Sequence, residues 1–187
     1  MYWLSLKTQK IDSKFYKFEF YKIRIMLNEK KRNLFLKGIN KIQLQVHPDL
    51  RLSEKACNKI NRILFKVAIK VSNHEKTMKS NLKSLMENED YKDLYKHAIS
   101  EGTQCEKKKH LNFSTKKLSK FLVTKNDCET ESVYFFGGVL EYLCAEITEL
   151  AGNCTRDNSR EVIKCKDVKN VFKYDEELFF FFKKLNE

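Results

Sequence analysis

The stretch from Val139 to Asn153 constrains this chain more than any other, because it sets two chemistries on one helix with almost no mixing. At about 100° per residue, Phe136, Val139, Leu140, Leu143, Ile147, Leu150 and Ala151 fall within roughly 120° of arc, and Glu141, Glu146 and Glu149 take the remainder. One face is patterned for a core and the other for carboxylates. Extended in both directions, the pattern predicts a long helix from Ser132 to Asn153.

A unit of similar grammar precedes it. Asn33 to Val46 predicts a helix that Pro48 stops, since the proline ring excludes continuation and restricts His47. Ser53 is placed as an N-cap, and Ala56, Ile60, Ile63, Leu64, Val67 and Val71 form the apolar stripe of a second long helix. A short helix over 79–88 and a closing helix over 91–102, ended by Gly102, complete this unit. After the run Glu106 to His110, the second unit has a short helix from Phe113 to Val123, the long helix, a short helix from Lys166 to Phe172 and a terminal helix carrying Leu178. The four consecutive Phe from 179 to 182 cannot all face one core. A lone short–long–short unit leaves an apolar strip open, so the two are expected to cross their long helices and cover each other. The resulting divisions are 1–28, 29–104, a linker at 105–110, and 111–187. In the first, Phe18, Phe20, Ile23, Ile25 and Leu27 nearly alternate and suit an extended or docked segment.

One Pro and five Gly in 187 residues leave few breakers, which favours an all-α protein. Net charge is +12, but unevenly placed: residues 1–110 hold 25 Lys and Arg against 12 Asp and Glu, and residues 111–187 hold 12 against 13. Basicity of this kind points to a polyanion. Six cysteines form no C-x-x-C pair, and Cys57, Cys144 and Cys154 fit helical faces as small apolar groups, so neither a metal site nor a disulfide framework is expected. The apolar run at the start is too short for a signal peptide, and an intracellular chain is expected. The histidines His47, His74, His97 and His110 are scattered, no Gly-rich phosphate loop is present, and no cofactor or enzymatic activity is expected.

Longer matches sharpen this. Val139 to Asn153 with Arg156-Asp157-Asn158 and Asp175-Glu176-Glu177-Leu178 resembles the middle and end of core histone 2A. Leu44 to Asp49, Ser53 to Ala56 and Tyr95 to Thr103 resemble histone 2B in the same order. The chain thus resembles a fused histone doublet of the kind found in some large DNA viruses, with a histone 2B-like half before a histone 2A-like half. The resemblance implies two histone folds in tandem, forming an intramolecular pseudo-heterodimer. The linker would keep the partners at an effective concentration of millimolar or more.

For DNA binding, the resemblance assigns Lys30, Lys31, Arg32, Ser53, Lys55, His74 and Lys76 in the first half, and Lys117, Lys120 and Arg160 in the second. Such positions hold phosphate through cations and helix N-termini without reading bases, as the nucleosome does. It also assigns an acidic patch to Glu141, Glu146, Glu149, Asp175, Glu176 and Glu177, joined by Asp93 and Glu101, and a loop-holding role to Arg156 and Asp157. Departures are present. Asn126 to Glu129 forms a shortened loop without the family's arginine, Val162 replaces another, Gln104 stands where a modifiable lysine is usual, and Lys117 and Lys120 stand for arginines. Lysine lacks the guanidinium fork, so a weaker and more salt-sensitive grip is expected. The first long helix is expected to be two or three turns short, and the family's extension that docks on histones 3 and 4 has no match before Glu187.

The function expected is sequence-nonspecific packaging of double-stranded DNA with histone 3 and 4-like partners, in the chromatin of a nucleus or viral factory and with packaging in the virion as a further expectation. Histone chaperones or Arg-bearing peptides are expected at the acidic patch. The alternative is a histone mimic that occupies chaperones or chromatin factors through that patch without wrapping DNA.

Overall fold

In the computed structural model, residues 33–72, 78–122 and 130–187 are described. Expectations for residues 1–28, for Lys30, Lys31, Arg32, His74 and Lys76, and for the loop at 126–129 lie outside them. The elements in chain order are α1 (Leu36–Val46), β1 (Arg51–Leu52), α2 (Glu54–Ser72), α3 (Met78–Met86), a 3-10 turn (Glu89–Tyr91), α4 (Lys92–Lys108), α5 (Thr115–Leu122), α6 (Thr130–Asp157), β2 (Val162–Ile163), α7 (Cys165–Tyr174) and α8 (Glu176–Asn186). Residues 33–187 form one compact unit. The all-α, tandem histone-fold reading is borne out.

Local chemistry explains the joints. The buried Gln43 donates from Nε2 to the carbonyls of His47 (2.8 Å) and Leu50 (2.7 Å), which holds the turn around Pro48. Ser53 Oγ accepts from the Ala56 amide at 3.3 Å, capping α2 where expected. The Phe35 amide donates to Asn61 Oδ1 at 3.1 Å and pins the start of α1 to α2. Across the halves, Phe35 packs on Phe113 with ring centroids 5.0 Å apart.

β1 and β2 come from different halves and pair in parallel, Arg51 opposite Val162 and Leu52 opposite Ile163. The Arg51 amide donates to the Glu161 carbonyl (2.9 Å) and the Ser53 amide to that of Ile163 (3.0 Å). This bridge ties the loop before α2 to the loop after α6, so the N-termini of α2 and α7 arrive together.

The apolar stripes of α2 and α6 are buried as their spacing predicts, apart from Leu150, which is half-buried. Packing around α6 departs from the single buried face. Phe135 through Leu140 are all buried, because a second surface of α6 is covered as well. Its most extensive helical contact is with α4, while α2 meets it over a shorter stretch. Two glycines permit that approach. A Cβ on Gly102 would stand 2.8 Å from the Phe135 carbonyl oxygen, and one on Gly138 would stand 2.7 Å from Cys105 Cβ. Gly102 therefore does not end α4, as the sequence suggested; it lies inside the helix, which runs on to Lys108 and turns at Lys109. The first central helix is the shorter, 19 residues in α2 against 28 in α6. The terminal phenylalanines divide: Phe181 is buried, Phe180 and Phe182 half-buried, Phe179 exposed.

Candidate nucleic-acid interface

Among the described residues, two basic regions and one acidic face stand on this scaffold. The first basic region is the bridged loop pair. Lys55 is exposed in the first turn of α2, and across the bridge Lys164 and Lys166 are exposed at the start of α7. Arg51 is exposed on β1 itself. Helix N-termini carry unpaired amides and partial positive charge, so cations gathered there favour phosphate. The sequence placed Ser53 and Lys55 in this region but missed Arg51, Lys164 and Lys166. Their membership depends on the β1–β2 register, which joins positions more than a hundred residues apart.

Arg160, expected among the phosphate-binding cations, is engaged elsewhere. Its Nη1 donates to Asp167 Oδ2 at 2.8 Å and its Nη2 to Oδ1 at 2.6 Å. Asp167 is fully buried and also accepts from the Lys164 amide (2.8 Å) and Thr155 Oγ (3.2 Å). Burial alone would push this carboxyl up; the hydrogen bonds from Arg160, Lys164 and Thr155 outweigh it and hold the carboxyl below its usual range. Arg160 thus fastens the loop that leads into β2 to the start of α7. Arg156, expected with Asp157 to hold the second loop, forks onto Asp49, with Nη2 at 2.6 Å from Oδ1 and Nε at 3.3 Å from Oδ2. A side-chain to backbone bond links the same regions: His47 Nε2 donates to the Glu149 carbonyl at 3.0 Å.

The second basic region lies where the two halves join. Lys37 and Lys41 on α1, Lys109 and His110 after α4, and Lys117 on α5 share a groove. Lys120 is exposed one turn along from Lys117.

The acidic face is less open than its sequence suggests. Glu141 accepts from the Phe113 amide (2.7 Å) and Asn112 Nδ2 (3.2 Å). Burial pushes its carboxyl up, and those two donors oppose the shift. Glu177 accepts from the amides of Asp93 (3.0 Å) and Leu94 (2.9 Å), capping α4. Asp175 Oδ1 accepts from the Leu178 amide at 2.8 Å and caps α8. Three of the eight assigned carboxylates thus hold backbone amides. Glu146, Glu149, Asp175 and Glu177 fall within electrostatic range of one another or of Tyr142. Burial raises the Glu146 carboxyl; the Tyr142 hydroxyl opposes that rise, and Glu149 and Asp175 add to it by repulsion. His97 stacks over Tyr142 with centroids 6.3 Å apart. Glu101 and Glu141 flank Cys105 instead, while Glu176 is exposed in the first turn of α8.

Two short–long–short helical units, bridged through their loops and sharing one core, define a tandem histone-fold protein. One of the curated proteins it resembles has the same order of halves. The chain is 26% identical over 172 residues to a histone doublet of Melbournevirus, in which histone 2B precedes histone 2A, covering 78% of this chain and 64% of that protein. Its second half is 35% identical over 82 residues to a histone 2A of Plasmodium falciparum, covering 42% of the chain and 62% of that protein. It is also 33% identical over 84 residues to a probable histone 2A of Oryza sativa subsp. indica, covering 43% and 62%. No protein-family model matches. The chain spans between 62% and 64% of the length of these relatives. The resemblance to a histone 2B–2A doublet is borne out.

Proposed function

We propose that this chain is a structural chromatin protein that holds double-stranded DNA without reading its sequence, alongside histone 3 and 4-like partners. The observation that carries the reading is the parallel β1–β2 bridge, which sets Arg51, Lys55, Lys164 and Lys166 beside the N-termini of two helices. Each element alone is an ordinary charged surface. Together they form a phosphate cradle that reads no base edge. Lys117 and Lys120 would extend the grip along α5, and the chain would reside in chromatin of a nucleus or viral factory.

The test is reconstitution on DNA with cognate histone 3 and 4-like proteins, followed by nuclease digestion. A discrete protected fragment is expected, with a log K against log salt slope reflecting several phosphate contacts. Exchanging Lys117 and Lys120 for Glu should shorten the fragment and flatten the slope. Loss of all protection with the unaltered chain overturns the reading.

The mimic alternative draws on the acidic face. There, among the described residues, Glu146 and Glu149 cap no backbone amide, whereas Glu141, Asp175 and Glu177 do. Binding of Arg peptides without any salt-sensitive DNA binding would favour it.

A further inference from the structure

Helix α8 buries one face and leaves the other patterned. Leu178, Phe181 and Leu185 are buried, and Phe182 is half-buried, with the ammoniums of Lys59 and Lys66 at 5.4 and 6.0 Å from its ring centre. On the outer face Glu176, Phe179, Phe180 and Lys183 stand at i, i+3, i+4 and i+7, within roughly 100° of arc. Glu176, Phe179 and Lys183 are exposed and Phe180 half-buried. Phe179 packs edge-on against Phe180, centroids 5.3 Å apart, yet keeps 45% of its surface open. Tyr174, just before the helix, is 70% exposed. Among the described residues, the one other large apolar side chain left this open is Leu44. Aromatic rings held together in water mark a contact surface.

The charges beside the rings lack partners within the chain. Among the described residues, neither Glu176 nor Lys183 forms an ion pair. Phe179 and Phe180 fill the neighbouring turn on α8 for both of them, where an opposite charge would pair. Glu187, one turn beyond Lys183, is taken by Lys184 at 3.0 Å, and Lys173 donates to the Tyr174 hydroxyl at 3.2 Å.

The order acid, ring, ring, base is its own complement when a second helix runs the opposite way. A two-fold axis midway between Phe179 and Phe180 sets Glu176 of each copy against Lys183 of the other, and Phe179 against Phe180. A basic peptide on this face would meet Glu176 but be opposed by Lys183, and an acidic one the reverse. Residues 111–187 hold 12 Lys and Arg against 13 Asp and Glu, so copies meeting here avoid the repulsion that the basic first half would impose.

We propose that α8 pairs two copies of this chain, antiparallel about a two-fold axis, through Glu176, Phe179, Phe180 and Lys183. The stripe is about 10 Å long, two turns of helix, and buries less than the roughly 1,200 Å² at which stable complexes begin, so the pair is weak and transient. It needs no DNA, and its test stands apart from the packaging reading.

Sedimentation equilibrium of the full chain, without DNA, at low salt and up to about 1 mM, would compare the unaltered chain with Glu176→Lys, Lys183→Glu, Phe179→Ser and the control Lys41→Ala on α1. Circular dichroism would confirm that each variant keeps its helices. The unaltered chain and Lys41→Ala should move towards twice the monomer mass as concentration rises. Each of the other three, alone, should weaken pairing about tenfold. Glu176→Lys mixed in equal amounts with Lys183→Glu should recover it, because each copy then offers the charge the other needs. An unaltered chain that stays monomeric throughout, pairing that ignores all three changes, or a mixture that stays apart would overturn the proposal. So would an Arg-bearing peptide that shifts the Phe179 amide while the chain stays monomeric, which would give the face to that partner.

Discussion

Arg160 and Asp167 face each other in a two-pronged pair, 2.8 and 2.6 Å across, around a fully buried carboxylate that four donors satisfy. Removing one partner would strand a charge or its donors in the core. Asp167→Ala is expected to lower Tm by roughly 5–10 °C, while Asp49→Ala, which frees the solvent-exposed Arg156, should change it little. Thermal unfolding of the two variants checks the contrast.

The same carboxyl sets a pH dependence. Its folded pKa is held below the ordinary value of 3.8, so the unfolded chain takes up the proton first on acidification. The stabilisation is complete at neutral pH and is lost as pH falls below about 4 through the folded pKa. Urea midpoints of the unaltered chain and Asp167→Asn should therefore converge between about pH 5 and pH 3. A gap that stays constant would refute the assignment.

Gly152 and His47 are in closer contact than any side chain on Gly152 would allow. Gly152→Ala should displace the imidazole, break its hydrogen bond to the Glu149 carbonyl and cost about 1–3 kcal/mol. Adding His47→Ala removes the ring that is struck, so the double variant should lose less than the sum of the two single ones. A double-mutant cycle in urea measures that coupling.

Glu177, on α8, holds two successive amides at the start of α4. Glu177→Ala should cost about 1–2 kcal/mol, as loss of a helix cap does. Hydrogen exchange should quicken at Asp93 and Leu94 before it quickens elsewhere in α4. Equal protection at those two amides would show that the carboxylate is dispensable.

Glu146 separates stability from recognition. Burial raises its carboxyl, so ionised Glu146 opposes folding at neutral pH and the opposition fades as pH falls. Glu146→Gln should leave urea stability at pH 7 unchanged or improved, while weakening an Arg-bearing peptide by severalfold. The unaltered chain should lose peptide affinity from a higher pH than an ordinary carboxylate with pKa 4.5 would dictate. Peptide anisotropy from about pH 7.5 to pH 5 checks both statements.

The periodicities of α2 and α6, the stop at Pro48 and the Ser53 cap were legible in residue order, because each is set by neighbours within two turns of chain. So was the pairing of two halves, since an apolar strip on one unit demands a cover. Gly102 shows where local reading stops. Its residue type fits a helix end, but a contact with Phe135 on another helix places it in the interior of α4. The candidate site divides in the same way. Charge and resemblance marked Lys55, Lys117 and the glutamates of α6, whereas geometry turned Arg160 to Asp167, turned Glu141 and Glu177 into caps, and gathered Arg51, Lys164 and Lys166 at one bridge.

By itself the sequence determined which stretches are helical, though not where α4 ends, which faces seek burial and which half carries the positive charge; these follow from local torsions and from the solvation of single side chains. Only the tertiary structure decided which charges remain available. A carboxylate or guanidinium is free or consumed according to the donors and acceptors that packing places within about 3 Å of it, and those partners come from distant stretches of chain.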